Sequence, residues 1–399
     1  MLAYIQAYNF MNINTNFVKE EFVKSFNYEP DRFFISPGRL EIVGNHTDHN
    51  HGYALVASAT LYIKCAVHKR DDNIINLNSA GSLFYNIKVN RSEPDKKEFM
   101  TSDALIKGVV NGFLMHGYHV GGFDAYCYSD IPSGSGVSSS AAFELLICAI
   151  LNGLYNDNKI DKIELAKISQ MAERDYFGKP CGILDQIGAA CGGICYVDFK
   201  DPANPVVKNT NFPFDLKIVL TNPGGSHAGL TSYYASIPND MYHVAHVLGK
   251  EYLRECSLDE LEAYVKSNPG KLNEREINRA IHFFNEDERV HQTYDSIINK
   301  DIDGFIANIN ASGQSSSDLL KNTSVPGRYK NSPERALRLV RQHARNSAHR
   351  VHGGGFIGTI ISFVKNDEYK HVVNVIEKTF GKKSVLDVGI SPFGATEIK

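Results

Sequence analysis

The segment that most restricts how this chain can fold is Pro132-Ser-Gly-Ser-Gly-Val-Ser-Ser-Ser140, a glycine- and serine-rich loop between two apolar stretches. Phe123–Ser129 before it reads as a strand, and Ala141–Leu154 after it reads as a buried helix. Gly134 and Gly136 let the backbone approach an anion closely, and successive N–H groups from Gly134 through Ser135, Gly136 and Val137 can form an anion nest. The helix starting near Ser139 points its positive end at the same place. Ser138, Ser139 and Ser140 add hydroxyls for phosphate oxygens or a magnesium ion. The loop is not a Walker A motif, since no GxxxxGK[ST] occurs. Taken alone, it would also serve as a flexible linker.

Three further segments carry chemistry. Pro37–His51 is a dense polar cluster between strands. Arg39 offers a planar cationic fork, while Asn45, His46 and Asp48 offer the mixed donors and acceptors that a polyhydroxyl ligand needs. A solvated turn, or a metal site from His46, Asp48, His49 and His51, are the alternatives. In Glu173–Gln186, Asp185 stands among apolar residues, so its charge requires a cation, and Arg39 is the natural candidate. Such a carboxylate can orient a hydroxyl and take its proton during phosphoryl transfer. Glu173 is a candidate magnesium ligand. A helix-capping Asp185 and a surface Glu173 are the structural alternative. Gly353–Gly358 precedes a strand and implies close approach to a ligand or to another backbone.

Elsewhere the pattern gives helices at 17–29, 101–118, 160–176, 333–346 and 370–380, and mostly helix over 257–309. Strands are expected at 32–36, 217–221, 356–364 and 384–388, with 54–68 and 74–89 as antiparallel strands. Pro-rich punctuation at 200–213 suggests two α+β domains, 1–205 and 206–399. With 43% apolar and 22% charged residues and a net charge of −3, nothing favours nucleic acid or an anionic membrane as partner. No apolar run reaches the length of a membrane span, and the first 17 residues do not read as a secretory signal. Seven scattered cysteines without a CxxC pair suggest reduced thiols in a cytoplasm. Cys191 and Cys195 lack the rest of a zinc set.

Together and in this order, PGRLEIVGNHTD at 37–48, PSGSGVSSSAAFE at 132–144, AERDYFGKPCGILDQ at 172–186 and HGGGFIGT at 352–359 resemble the GHMP family of small-molecule kinases, and its galactokinase branch most closely. Weaker similarity continues through 227–234 and 303–320. The resemblance implies a two-domain α+β GHMP kinase fold with the active site in the interdomain cleft. It also implies ATP and magnesium, transfer of the γ-phosphate to the anomeric hydroxyl of galactose, and a monomer whose partners are a small sugar and ATP. By matching positions, Asp185 would be the catalytic base and Arg39 would stabilise the transition state. Residues 134–140 would cradle the triphosphate, and Ser140 and Glu173 would hold magnesium. Asn45, His46, Asp48, Gly182 and Tyr234 would line the sugar site, with Tyr233 as the alternative to Tyr234.

The departures from that family cluster on the sugar side. Asn45 stands where the family usually has Glu, contacting the sugar near its C6 hydroxyl, and Glu41 stands where it usually has Asn. His49 replaces Tyr, and His51 a frequent Gly. An amide can donate as well as accept, so a uronic acid or an N-acetylhexosamine is the alternative substrate. A non-catalytic sugar sensor is a third reading.

Overall fold

The computed structural model describes residues 13–79, 82–132, 134–225 and 229–398. The expectations that rest on residues 1–12, on Ser133 and on 227–228 lie outside them. Helix α1 (Asn16–Phe26) is followed by the long strands β1 (Arg32–Val43) and β2 (Tyr53–Lys69), in which most residues are buried. The hairpin β3 (Ile74–Ser79) and β4 (Ser82–Lys88), helix α2 (Ser102–Met115) and strand β5 (Phe123–Ser129) lead into the glycine–serine loop. Helices α3 (Ser139–Tyr155) and α4 (Lys162–Met171) follow, and α4 runs on into one π-helical turn, Ala172–Tyr176. Then come the short helix α5 (Leu184–Cys191) and the hairpin β6 (Ile194–Asp198) and β7 (Val206–Thr210).

The second half begins with β8 (Lys217–Thr221) and four helices, α6 (Thr231–Val247), α7 (Leu258–Ser267), α8 (Glu274–Asn299) and α9 (Ile302–Ser315). The helical stretch read over 257–309 is thus three helices. Its expected start at Ser257 is a capping box: Ser257 Oγ accepts from the Glu260 amide at 3.2 Å, and Glu260 Oε2 from the Ser257 amide at 2.7 Å. The chain ends with α10 (Pro333–His343), β9 (Ala348–Val351), β10 (Ile360–Val364), α11 (Asn366–Phe380), β11 (Val385–Val388) and β12 (Thr396–Ile398). Residues 356–359, read as part of the β10 strand, instead finish the glycine turn before it.

The larger sheet runs β12-β1-β2-β5-β3-β4, with β6 beside the first part of β2 and β7 outside β6; the smaller runs β11-β8-β10-β9. The strands read at 54–68 and 74–89 do not pair with each other. Between them lies β5, antiparallel to β2 and parallel to β3. Alternation identifies a strand but does not select its partner. Nor does sheet membership follow a single cut at 205/206, since β7 pairs with β6 and β12 returns from the chain's end to pair Phe33 with Ile398. Helices α3 and α5 cover β1 and β2 with Leu145, Ile147, Ile187 and Ala190, which draws the loops preceding both helices to one edge. On the smaller sheet, Leu337, Val340, Val372 and Ile376 of α10 and α11 pack against Val219 and Ile360.

Candidate active site

Two hollows, of about 420 and 370 Å³, share Arg39, Asp185, Tyr234, Gly353 and Gly354 in their walls. The first contains the glycine–serine loop and the second the polar loop after β1, so they adjoin at Arg39 and Asp185. A larger hollow of about 870 Å³ lies elsewhere, beside exposed Asp157, Lys159 and Asp161, and includes none of the expected residues.

In the first hollow, residues 134–140 lead into α3. Gly136 has φ +79°, a left-handed conformation that glycine adopts without penalty. Ser138 adopts the same region immediately before α3, and its hydroxyl donates to Asp185 Oδ2 instead of capping the helix. The first-turn amides of α3 therefore lack a side-chain cap and are available to an anion. Val137 is buried and its carbonyl accepts from the Arg39 amide at 3.0 Å, while Ser139 is exposed. The second half of the chain braces this loop: Thr359 Oγ1 donates to the Ser135 carbonyl, and Asn222 Nδ2 to the Gly134 carbonyl, both at 3.0 Å.

Asp185 lies in the first turn of α5, at the helix's positive end. Arg39 Nε donates to its Oδ1 at 2.6 Å, and another Arg39 nitrogen to the Gly136 carbonyl. Burial pushes the Asp185 carboxyl up, but the Arg39 charge and the Ser138 hydroxyl outweigh it and leave it below its ordinary value. Asp185 is thus ionised at neutral pH. The pairing expected from sequence is present.

Glu173 sits in the π-helical turn, a distortion frequent at functional sites, and is 1% exposed. Its Oε1 accepts from Ser140 Oγ at 2.8 Å and from Lys179 Nζ at 2.6 Å, and its Oε2 from Gln186 Nε2 at 2.8 Å. Lys179, which the sequence reading passed over, lines the same hollow as the glycine–serine loop. Burial lowers its ammonium, but the Glu173 carboxylate prevails and raises it. Beneath this group lies Glu144, pushed up to about 8 by burial and by the Glu173 charge.

The second hollow contains every residue expected to face a sugar. A Cβ at Gly182 would stand 2.5 Å from Asp48 Oδ2, so the glycine leaves room for the Asp48 carboxyl. Burial, then the Glu41 charge, push the Asp48 carboxyl up to about 6. His46 Nε2 lies 3.0 Å from the Gly354 carbonyl, so Nε2 carries the proton and Nδ1 remains an acceptor. Of the two tyrosines, Tyr234 lines both hollows and donates to the Gly355 carbonyl at 3.0 Å, whereas Tyr233 is exposed.

Asn45 is 1% exposed and its amide is engaged on every side. Nδ2 donates to Glu41 Oε1 and to the Gly353 carbonyl, both at 2.9 Å, and Oδ1 accepts from Asn322 Nδ2 at 2.8 Å. Glu41 Oε1 also accepts from Arg350 at 2.9 Å, and Arg350 is fully buried. Among the described residues no donor reaches Glu41 Oε2, and Glu41 lines the hollow. The position usually amidic in the family thus presents the carboxylate here, and the usual carboxylate position presents the amide. The metal-site alternative gains no support: His51 stacks on Tyr252 at 3.7 Å, and among the described residues no three His, Cys, Asp or Glu side chains form a metal-holding group.

The chain is similar to known proteins over most of its length. Residues 104–193 match the family model of the GHMP kinases N terminal domain, and 20–69 that of the galactokinase galactose-binding signature. The galactokinase of Clostridium tetani (strain Massachusetts / E88) is 33% identical over 395 residues, covering 93% of this chain and 95% of that protein. The chain belongs to the galactokinase family. A galactokinase of Pyrococcus furiosus is 28% identical over 351 residues, covering 86% of this chain and 92% of that one. In fold, the chain matches the crystal structure of Lactococcus lactis galactokinase complexed with galactose, with a TM-score of 0.78, 24% identity, and coverage of 95% and 98%. A mevalonate kinase structure matches with a TM-score of 0.63 at 15% identity, so the fold is shared beyond the galactokinase branch.

Proposed function

We propose that the protein transfers the γ-phosphate of ATP to the anomeric hydroxyl of galactose, giving galactose 1-phosphate and ADP. The observation that carries this reading is the junction of the two hollows at the ionised Arg39–Asp185 pair. With the triphosphate on the amides of 134–140 and the sugar among His46, Asp48, Gly182 and Tyr234, the reacting hydroxyl meets Asp185. Its carboxylate orients that hydroxyl and takes its proton as the new O–P bond forms and the bond to the leaving ADP breaks. Arg39 faces the negative charge on the transferring group. The fixed backbone donors bring no reorganisation of their own at that moment.

Ser140 Oγ and Glu173 Oε1, 2.8 Å apart, are hard oxygen donors of the kind magnesium prefers, so this pair fits the ion. Bound there, magnesium would neutralise triphosphate charge. The sugar side favours a neutral hexose over a uronic acid. Asn45 has no free donor, Arg350 is held by Glu41, and the Glu41 and Asp48 carboxyls both line the hollow. The same reading takes the protein as a monomer in a reducing cytoplasm, with its seven scattered cysteines as thiols.

The test is ADP release measured with galactose, galacturonate, N-acetylgalactosamine and no sugar. Galactose is expected to turn over fastest. Turnover of another sugar without galactose would replace the substrate. Sugar and ATP binding with no ADP formed would establish a sensor.

A further inference from the structure

His352 ends the strand-and-turn segment before the triple glycine, and no role follows for it from the site described so far. Its backbone amide donates to the Thr359 carbonyl at 2.9 Å, which fixes the residue at the floor of the glycine turn. The ring is buried, 4% exposed. Nε2 lies 3.2 Å from the backbone nitrogen of Glu41. A backbone N–H only donates, so Nε2 accepts, and in a neutral imidazole the proton then sits on Nδ1. Burial and the flanking Arg39 and Arg350 charges keep the ring neutral, well below its ordinary protonation range. The Nδ1 atom is buried and, among the described residues, has no hydrogen-bond partner. It faces the glycine–serine loop, since a Cβ at Gly136 would stand 3.6 Å from it. His352 lines the hollow of that loop and not the sugar hollow.

A buried donor with a fixed tautomer and no partner is unfavourable unless a ligand completes it. We propose that His352 donates a hydrogen bond from Nδ1 to an oxygen of the terminal phosphate of a bound nucleoside triphosphate. This rests on reading the first hollow as the triphosphate site. The donor is neutral and moves no proton. It adds a preorganised dipole beside Arg39 where charge develops during transfer.

The test compares His352→Leu, His352→Gln and His352→Asn by calorimetric titration with ADP and with AMP-PNP, a triphosphate that is not turned over, alongside kcat. Asparagine places its amide near the Nδ1 position, whereas glutamine reaches toward Nε2 and leucine keeps neither polar atom. Leucine and glutamine should weaken AMP-PNP roughly 10-fold while ADP stays within about 2-fold. They should lower kcat about 100-fold with galactose KM little changed. Asparagine should retain most of both. Equal weakening of ADP and AMP-PNP, or an asparagine variant no better than glutamine, overturns the proposal. If leucine prevents folding, the asparagine–glutamine pair decides alone. Wild-type protein that binds neither nucleotide would instead refute the triphosphate site itself.

Discussion

The two hollows are built in different ways. The phosphate side is organised by backbone: glycine and serine amides from one short loop and an uncapped helix N-terminus, with Arg39, Lys179 and His352 beside them. The sugar side is mostly side chains, several of them held by a partner far away in sequence. Glu41 is fixed by Arg350, Asn45 by Asn322, His46 by Gly354 and Tyr234 by Gly355. Backbone recognition tolerates sequence change as long as the turn survives. Side-chain recognition changes in linked sets, and the exchange of amide and carboxylate between positions 41 and 45 is such a set. The departures from the family pattern gather on the sugar side for this reason.

The largest effect is expected where the two sides meet. Asp185→Asn keeps the shape but removes the charge that faces Arg39 and the proton acceptor. Turnover in a coupled ADP assay should fall ~100-fold or more. Galactose KM should move only a few-fold, because the hydroxyl-binding residues are untouched. A variant with near-normal turnover would assign the rate to Arg39 and positioning, and would dissolve the idea of a chemical junction between the hollows.

The side-chain set can be broken deliberately. Asn45→Glu alone would restore the residue usual in the family but place a second buried carboxylate against Glu41, with Arg350 the cation already engaged. We expect a loss of about 2 kcal/mol in urea unfolding and poorer galactose use. The double change Glu41→Asn with Asn45→Glu should recover most of both. If the single variant is as stable as wild type, the two positions are independent and the linked-set account fails.

Legibility followed the same division. The glycine–serine loop, the Arg39–Asp185 pair and the Ser140–Glu173 pair could be read because their chemistry is local or carried by recognisable charge. The role of Asn45 could not, since its partners Gly353 and Asn322 lie some 300 residues away and depend on the packing of β9 and α9 around β1. Nor did Lys179 or His352 stand out: one lysine in a turn and one histidine before glycines carry no periodic signal. Helix α5 has only eight residues, too short for amphipathic spacing, and β12 is a three-residue strand defined by its pairing with β1. Strand β2 and most of the long helices were recovered because burial imposes a pattern over many residues, but helix α6 was not expected, and β1, read only over 32–36, runs on to Val43 through residues taken for a polar loop.

A smaller effect should appear with pH on the sugar side. The Asp48 carboxyl is pushed up to about 6 by burial and by Glu41, whereas Asp185 lies below its ordinary value. As pH falls from 8 to 5, Asp48 takes up a proton first and loses its strength as a hydroxyl acceptor, while Asp185 remains ionised. The kcat/KM for galactose should fall roughly 10-fold through pH 6, with kcat at saturating sugar nearly flat. Asp48→Asn should have low kcat/KM at every pH and no inflection near 6. An inflection retained in that variant would assign the titration to another group.

The smallest effect concerns Lys179, whose ammonium on the phosphate side is placed to compete with a cation. Its ammonium shares Glu173 Oε1 with the Ser140 hydroxyl, so a metal drawn to that oxygen has to displace it. The lysine is about half exposed while Glu173 is buried, and a pair of this kind is worth at most about 1 kcal/mol. Lys179→Met keeps the side-chain length and removes the competitor. The magnesium concentration for half-maximal activity should drop by about 2- to 5-fold, with galactose KM unchanged. A rise in that concentration would mean that Lys179 assists triphosphate binding more than it opposes the metal. The phosphate side would then rely on a second side-chain cation beside Arg39, which would narrow the contrast between the two hollows.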